Sequence, residues 1–206
     1  MSTRVRDPKR TRRKVLEAAY REFYHHGFQG GSLNNIVKEA GITKGALFHH
    51  FPGKNAVAYA IIDEFLLPAV QKWWVEPLAD TEDPIPAIKE VFRRFRQRVE
   101  KEEPSIGFVT NGCPICNLAA EMSPLDEGFR TRLDHLYSLW RGAIADALKR
   151  GQANGKVRPE VRPPEEAAFL VSAIAGTAAT AKTAQQLSHY QASFRATNRY
   201  LEAMRA

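Results

Sequence analysis

Apolar residues recur along most of this chain at the spacing of an α-helix, and no segment clearly alternates apolar and polar residues as a half-buried strand does. One face of the first predicted helix carries apolar residues at positions i, i+3, i+4 and i+7: Leu16, Ala19, Tyr20 and Phe23. Asp7 followed by Pro8 is a typical helix start, because aspartate caps free N–H groups and proline fits the first helical position. Repeats of this pattern predict an all-α fold of about nine helices.

Two short helices are predicted to follow the first one, and glycine residues separate them. We expect Gly27 to end the first helix and Gly41 to form the turn between the second and the third. Ser32 and Thr43 each precede an amphipathic segment, so they are the expected N-caps. Pro52-Gly53 then ends the third helix. These signals predict an N-terminal domain of three helices that contains a helix-turn-helix.

A longer fourth helix is predicted from about Lys54. Pro68 is expected to kink it, because proline has no N–H to donate to the carbonyl of Glu64. Later helices are predicted to start at Asp83-Pro84 and end at 104–107, to run from Ser123-Pro124 to about Arg150, and to cover about 165–186 and 189–205. Together they predict a larger C-terminal helical bundle.

Basic residues are concentrated near the N-terminus. Residues 1–56 hold 11 Lys and Arg against 4 Asp and Glu, whereas the whole chain holds 30 against 23. The remaining residues therefore carry 19 basic and 19 acidic groups (30 − 11 and 23 − 4). A polyanion attracts Lys and Arg regardless of its sequence. We therefore predict a DNA-binding domain in residues 1–56 and a neutral domain, suited to another task, in residues 57–206.

The third helix has the properties of a DNA recognition helix, because the major groove admits one helix and its outward side chains read the base edges. The positions predicted to point outward are Thr43, Lys44, Gly45, Phe48, His49 and His50. Gly45 allows the backbone to approach the duplex closely. Lys44 can donate to guanine or to a phosphate, and His49 and His50 can donate to a phosphate or a base acceptor.

The segment from Arg12 to Ala58 resembles the DNA-binding domain of the TetR family of bacterial transcriptional regulators. The resemblance rests on the amphipathic first helix and on the positions that follow it: Gly27-Phe28, Ser32, 40–45, 47–51 and Lys54. Phe48 stands where the family usually has tyrosine. Its ring can pack against the sugar-phosphate wall, but it has no hydroxyl for a phosphate.

The resemblance implies specific roles for these residues and for the rest of the chain. Ser32 and Asn34 would contact backbone phosphates, and Lys54 would meet a phosphate at the start of the fourth helix, where the helix dipole favours an anion. Residues 43–45 would face bases or phosphates, and residues 48–50 would line the groove. The family resemblance also implies a small-molecule effector site in the C-terminal domain, a homodimer formed by the last two helices, and, most often, a repressor.

The C-terminal domain is rich in apolar and aromatic residues, which can form plain core or line a cavity for an apolar or aromatic ligand. The candidate ligand-binding residues are Phe65, Leu66, Trp73, Phe92, Phe95, Phe108, Cys113, Tyr137 and Trp140. Ala, Gly and Thr dominate residues 173–184, and small side chains let helices approach closely. This stretch is therefore a candidate dimer interface, with packing inside one chain as the alternative.

Cys113 and Cys116 form a CxxC motif before a predicted helical segment, where the helix dipole favours a thiolate. Two buried core thiols, a redox- or electrophile-sensing pair, and a metal site all remain open. A zinc site would need two more ligands, and only His135 and His189 lie outside the N-terminal domain, with no signature spacing. A thiol-dependent enzyme is a further alternative, but it requires a strand-turn-helix context and leaves the basic segment unexplained.

Other functional classes have little support in the sequence. It contains no glycine-rich phosphate loop, HExxH or GxSxG motif, so we expect no enzyme, metal or cofactor. We also expect no secretory signal and no membrane span, and therefore a cytoplasmic location. Together with the family resemblance, the sequence predicts a homodimeric repressor that binds operator DNA and that a small apolar or aromatic effector releases.

Overall fold

The structure, a computed structural model, describes residues 7–102 and 107–206. Over these ranges the chain forms nine helices and one separate helical turn, Phe108–Asn111. Their bounds are α1 Pro8–Gly30, α2 Leu33–Ala40, α3 Lys44–His50, α4 from Lys54 to Leu78, α5 Pro84–Glu102, α6 Pro114–Met122, α7 Glu127–Ala153, α8 Pro163–Ala184 and α9 Leu187–Glu202. An isolated bridge joins Val157 to Arg205, and the described residues contain no strand. The prediction of an all-α fold is confirmed.

Helices α1 to α3 form the predicted three-helix unit around a shared apolar core. Leu16, Ile36 and Leu47, one from each helix, are almost fully buried. The N-terminus of α1 is capped by Asp7, whose carboxylate accepts the N–H groups of the next turn. Gly27 breaks the helical geometry as expected, with φ +74°, but a further helical turn continues to Gly30.

Helix α4 is continuous but changes its hydrogen-bond register along its length. It is α-helical over Lys54–Ile61, π-helical over Ile62–Leu66, α-helical over Leu67–Val70, π-helical over Gln71–Val75 and 3₁₀ over Glu76–Leu78. The first π-helical segment ends at Leu66, two residues before Pro68, and the N–H of Leu67 reaches back to the carbonyl of Ile62. A local change of register therefore accommodates the N–H that proline lacks.

The predicted start of a helix at Ser123-Pro124 was wrong. Helix α6 ends at Met122, with Ser123 as its C-cap donating its N–H to the carbonyl of Ala119, and α7 begins only at Glu127. Asp126 decides this boundary, because its carboxylate caps α7 by accepting the N–H of Phe129 at 2.9 Å. The predicted end of the fifth helix at 104–106 lies outside the described residues.

The last two helices lie within three residues of their predicted bounds. By length and composition α8 is apolar enough to cross a membrane, with a mean hydropathy of 1.2 over the best window, of which 39% is buried. This composition has a packing explanation, since α8 lies between α7 and α9 and buries Leu170, Ile174 and Ala178. Its exposed positions include Ser172, Gly176 and Ala179.

Candidate functional site

The turn between α2 and α3 is built by the residues that the sequence indicated. Gly41 has a left-handed conformation, with φ +63°, and its N–H reaches back to the carbonyls of α2. Thr43 caps α3, since its hydroxyl oxygen accepts the N–H of Ala46 at 3.2 Å. Leu47 is fully buried and anchors α3 on α1 and α2. The opposite face of α3 is therefore directed away from the protein.

The residues predicted to read the duplex share this outer face of α3. Those exposed are Thr43, Lys44, Gly45, Phe48 and His49. His50 is half-buried. Phe48 is 43% exposed, which is unusual for a large aromatic side chain in this structure. No atom lies within 4 Å of a Cβ added at Gly45, so the backbone there is open to a close approach.

Among the phosphate-contact candidates outside α3, Asn34 is exposed and the other two have partners within the protein. The Ser32 hydroxyl caps α2 by accepting the N–H of Asn34 at 3.2 Å. The Lys54 ammonium donates to the carbonyl of Gln29 at 3.0 Å and lies 4.8 Å from the ring centre of Phe28. Burial lowers the pKa of Lys54. Its ammonium is thus turned towards the end of α1, apart from the exposed group on α3.

Sequence reasoning missed a buried carboxylate that positions α2. Glu22 is only 7% exposed and accepts the N–H of Ser32 at 2.8 Å and the side-chain amide of Asn35 at 3.0 Å. These two bonds fix the start of α2 against α1. The available signal was an acidic residue three positions from Ala19, within the apolar face of α1.

A second set of missed residues connects the unit formed by α1 to α3 with the later helices. The Glu121 carboxylate in α6 accepts the backbone N–H groups of Phe28 and Gln29 at 2.9 Å and 2.7 Å. The Tyr24 hydroxyl donates to the carbonyl of Gly112 at 2.8 Å. From α4, the Tyr59 hydroxyl donates to Asp126, and this bond lowers the pKa of Asp126. The two parts of the molecule are therefore joined by polar contacts as well as by α4.

A mainly apolar cavity of about 190 Å³, which we call the inner cavity, lies between α1 and the C-terminal domain, and Arg98, stacked 5.2 Å from the ring centre of Trp73, is the charged residue among those that line it. Six of the nine predicted ligand-binding residues line it: Leu66, Trp73, Phe95, Phe108, Cys113 and Trp140. The other three do not. Phe65 packs against Tyr20, Phe92 is fully buried between Trp74 and Phe194, and Tyr137 lies behind Cys116.

A larger cavity of about 570 Å³, the outer cavity, lies where α1, α4 and α6 meet. Its lining combines apolar residues of α1, α4 and α6 with polar ones, among them Asn117, Glu121 and Lys182. Tyr20, Tyr24, Leu66 and Pro114 line both cavities, so these four residues form the wall between them.

The two cysteines are free thiols at the start of α6, on the wall of the inner cavity. Cys113 is the N-cap of α6, and the Tyr137 hydroxyl lies 3.3 Å from the sulfur of Cys116. Hydrogen bonds from Cys113 and Tyr137 lower the pKa of Cys116 to about 7. The hydrogen bond to Cys116 and burial raise the pKa of Cys113. Cys116 is therefore the better nucleophile near neutral pH.

Metal binding has no site within the parts of the chain that the structure describes. No three His, Cys, Asp or Glu side chains there are close enough to hold a metal ion together. His49 and His50 are neighbours, with ring centres 5.3 Å apart, but a third ligand does not join them in the described residues.

Two family models together match most of the chain. Residues 15–61 match the model of bacterial regulatory proteins of the tetR family, and residues 84–197 match the tetracyclin repressor-like C-terminal domain. The first match contains α2 and α3, and the second contains much of the inner cavity wall. Both matched models describe regulators, and neither describes an enzyme.

Three individual proteins are similar to this chain over most of its length. The chain is 33% identical over 143 residues to the HTH-type transcriptional regulator LmrA of Bacillus subtilis strain 168, covering 68% of this chain and 71% of LmrA. It is 26% identical over 165 residues to the HTH-type transcriptional repressor DhaR of Mycobacterium sp. strain GP1, covering 80% and 79%. A TetR transcriptional regulator from Chloroflexus aurantiacus J-10-FL has the same fold, with a TM-score of 0.81, 24% identity and coverage of 96% and 97%. The chain therefore belongs to the TetR family of bacterial transcriptional regulators.

Proposed function

We propose that this protein is a cytoplasmic, homodimeric repressor that binds an operator through residues 1–56 and releases it when an apolar or aromatic molecule occupies the C-terminal domain, 57–206. One observation carries the proposal: α4 begins directly after the recognition helix α3, and its residues Leu66 and Trp73 line the inner cavity. The similar protein DhaR is a transcriptional repressor, which supports repression as the sign of regulation here.

A ligand in the inner cavity would act on the recognition helix through two routes. The first is α4, whose π-helical segments lie beside the cavity and are places where a helix can change register. The second is α6, which lines both cavities and holds the end of α1 through Glu121. A ligand shifts the equilibrium only by its differential affinity for the two states, so operator DNA must weaken ligand binding reciprocally.

The homodimer is proposed to form through α8 and α9. Small exposed side chains on α8, among them Gly176 and Ala179, permit close helix approach. Phe169 and Tyr200 are 52% and 38% exposed, and their ring centres lie 4.8 Å apart, so they add an aromatic patch on the same two helices. Ala175 lines the inner cavity instead, so a substitution there does not test the dimer alone.

The test is binding of the full-length protein to labelled DNA from upstream of its own gene, measured by fluorescence anisotropy against a scrambled duplex of equal length. Specific binding should exceed non-specific binding by a factor on the order of 10³ or more. A panel of apolar and aromatic compounds should contain members that weaken the specific complex. Equal affinity for both duplexes would contradict the proposal that the protein is a specific regulator. If no compound changes the operator affinity, the proposal of ligand control would be contradicted.

Thiol sensing is the second candidate, and the position of Cys116 favours it. A thiol with a pKa of about 7 on the wall of the inner cavity can be alkylated or oxidised at neutral pH, which would place a covalent group where a ligand is expected. The variant with Cys113→Ser and Cys116→Ser separates the two candidates. Thiol sensing would be excluded by two results together. Both the wild type and the double variant would respond normally to a non-covalent effector, and neither would respond to electrophiles or oxidants.

A further inference from the structure

The inner and outer cavities together offer one extended binding site with different chemistry at its two ends. The inner end is lined mainly by aromatic and aliphatic side chains, including Trp73, Phe95 and Phe108. The outer end contains charged and amide side chains and opens at the junction of the two domains. Tyr20, Tyr24, Leu66 and Pro114 line both cavities, so the two ends are neighbours. A rotation of the Tyr20 and Leu66 side chains would let a single elongated molecule occupy both.

Lys182 gives the outer end a positive charge that the described residues do not neutralise. Its ammonium lies 3.4 Å from the amide oxygen of Asn117, and no carboxylate in the described chain forms an ion pair with it. Lys182 is exposed, and its aliphatic stem passes close to Gly112, where an added Cβ would lie 3.0 Å from the lysine Cδ. This contact places the stem of Lys182 beside the start of α6.

The one carboxylate that lines the outer cavity is already committed. Both oxygens of Glu121 accept backbone N–H groups, from Phe28 and Gln29. It is therefore poorly placed to bind a cationic ligand group, whereas Lys182 has an amide partner only. The charge that remains for a ligand at the outer end is positive.

We propose that the effector of this protein is an amphipathic organic anion, whose carboxylate binds Lys182 in the outer cavity and whose apolar part passes between Tyr20 and Leu66 into the inner cavity. This inference deepens the proposed function by naming the ligand class. The bound carboxylate also places negative charge in the cavity that contains Glu121. Repulsion between the two would weaken the hydrogen bonds that Glu121 accepts from the N–H groups of Phe28 and Gln29, which links the ligand to the DNA-binding unit.

Direct binding can be measured without DNA, because all three tryptophans of the chain, Trp73, Trp74 and Trp140, line the inner cavity. The probes are octanoate, octanamide and octanol, which share a chain length and differ in the head group. We expect tryptophan fluorescence to report binding of all three, with octanoate binding about tenfold more tightly than octanamide, as for a charge-assisted contact. Lys182→Gln should abolish this preference and leave octanol binding unchanged.

Two further variants serve as controls for Lys182→Gln. Lys182→Arg retains the charge and should retain the preference for octanoate. Lys156→Gln removes a charge from an exposed lysine that lines neither cavity and should behave as wild type. Equal affinity of the wild type for octanoate and octanamide, an unchanged ratio in Lys182→Gln, or no binding of any probe at millimolar concentration would overturn the inference.

The outcome for the ligand class and the outcome for the regulator are distinguishable. If octanoate binds as expected but never changes operator affinity, the anion site stands and ligand control by this site fails. If another class of compound releases the operator while octanoate shows no preference over octanamide, the proposed function stands and the anion site fails.

Discussion

Glu121 and Phe28 are hydrogen-bonded across the junction of the two domains, with 2.9 Å between the carboxylate oxygen and the backbone nitrogen. The neighbouring N–H of Gln29 bonds to the other oxygen of Glu121 at 2.7 Å. These N–H groups open the short turn that follows the break in α1 at Gly27, so a residue of α6 caps a turn of α1. A movement of α6 is thereby transmitted to the end of α1.

Replacing Glu121 with glutamine should weaken this link. The glutamine amide offers one acceptor and one donor, so one of the two backbone N–H groups would face another N–H group. We expect a loss of about 1–3 kcal/mol in the free energy of unfolding, measured by urea denaturation, and a smaller effector-induced change in operator affinity. Glu160→Gln, at an exposed site, is the control and should stay within about 0.5 kcal/mol of wild type. A Glu121→Gln protein as stable as this control would show that the cap contributes nothing.

Gly27 should not tolerate a side chain. Its φ of +74° is unfavourable for other residues, and an added Cβ would lie 3.2 Å from the Glu121 carboxylate. Gly27→Ala is expected to reduce the free energy of unfolding by about 1–3 kcal/mol. Gly142→Ala is the matched control, since Gly142 lies within helix α7 with open space around it, and that change should stabilise by about 0.4–1 kcal/mol. If both variants shifted the denaturation midpoint in the same direction, the conformational argument at Gly27 would fail.

Replacing Lys44 or Lys54 with alanine is expected to have different effects on stability and on DNA binding. Lys44 is exposed on α3, so its loss should leave stability unchanged, weaken operator binding and alter base preference by about 1–3 kcal/mol if it contacts a base. Lys54 bonds to the Gln29 carbonyl and lies over Phe28, so its loss should cost about 1 kcal/mol of stability. Any effect of Lys54→Ala on DNA should be equal for specific and random sequences. Thermal denaturation and anisotropy at several salt concentrations measure both effects, and a Lys54→Ala protein of unchanged stability would contradict the structural role.

The reactivity of Cys116 should depend on pH near neutrality. With a pKa of about 7, the thiolate fraction and hence the rate of alkylation by iodoacetamide should rise steeply between about pH 6 and pH 8. Tyr137→Phe removes a hydrogen bond that stabilises the thiolate, so it should raise the pKa and slow alkylation at pH 7. Mass spectrometry in the Cys113→Ser background isolates Cys116, whose sulfur can still accept a hydrogen bond from the hydroxyl at position 113. The same pH profile with and without the Tyr137 hydroxyl would refute this assignment.

Ala179→Arg should dissociate the proposed dimer. Ala179 is exposed on α8, and a long charged side chain at a close helix contact would meet its own symmetry mate. Light scattering at micromolar concentration should then report a monomer, with operator affinity reduced because one recognition helix reads too few base pairs. Ala79→Arg, exposed directly after the end of α4 and outside α8 and α9, should remain dimeric. A dimer that survives Ala179→Arg would place the interface elsewhere.

The sequence by itself determined the helical fold and the recognition unit, because these depend on local signals. Periodic apolar residues defined the helices, and the residue types at Gly41 and Thr43 specified the turn and cap of the helix-turn-helix. The exposed residues of α3 followed from the same periodicity. The boundary of α7 was missed because Asp126 caps this helix while also accepting from Tyr59, a partner distant in the chain.

Only the tertiary structure decided which aromatic residues surround a cavity and how the domains are joined. Periodicity shows that Phe92 and Phe95 are apolar positions of one helix, but the elements packed around them decide that Phe95 lines the inner cavity and Phe92 does not. The hydrogen bonds that Glu22 accepts from Ser32 and Glu121 accepts from Phe28 also depend on how the surrounding elements pack. The sequence around a carboxylate does not identify the backbone N–H group to which it will bond, because the packing of another helix or of a distant turn supplies that partner.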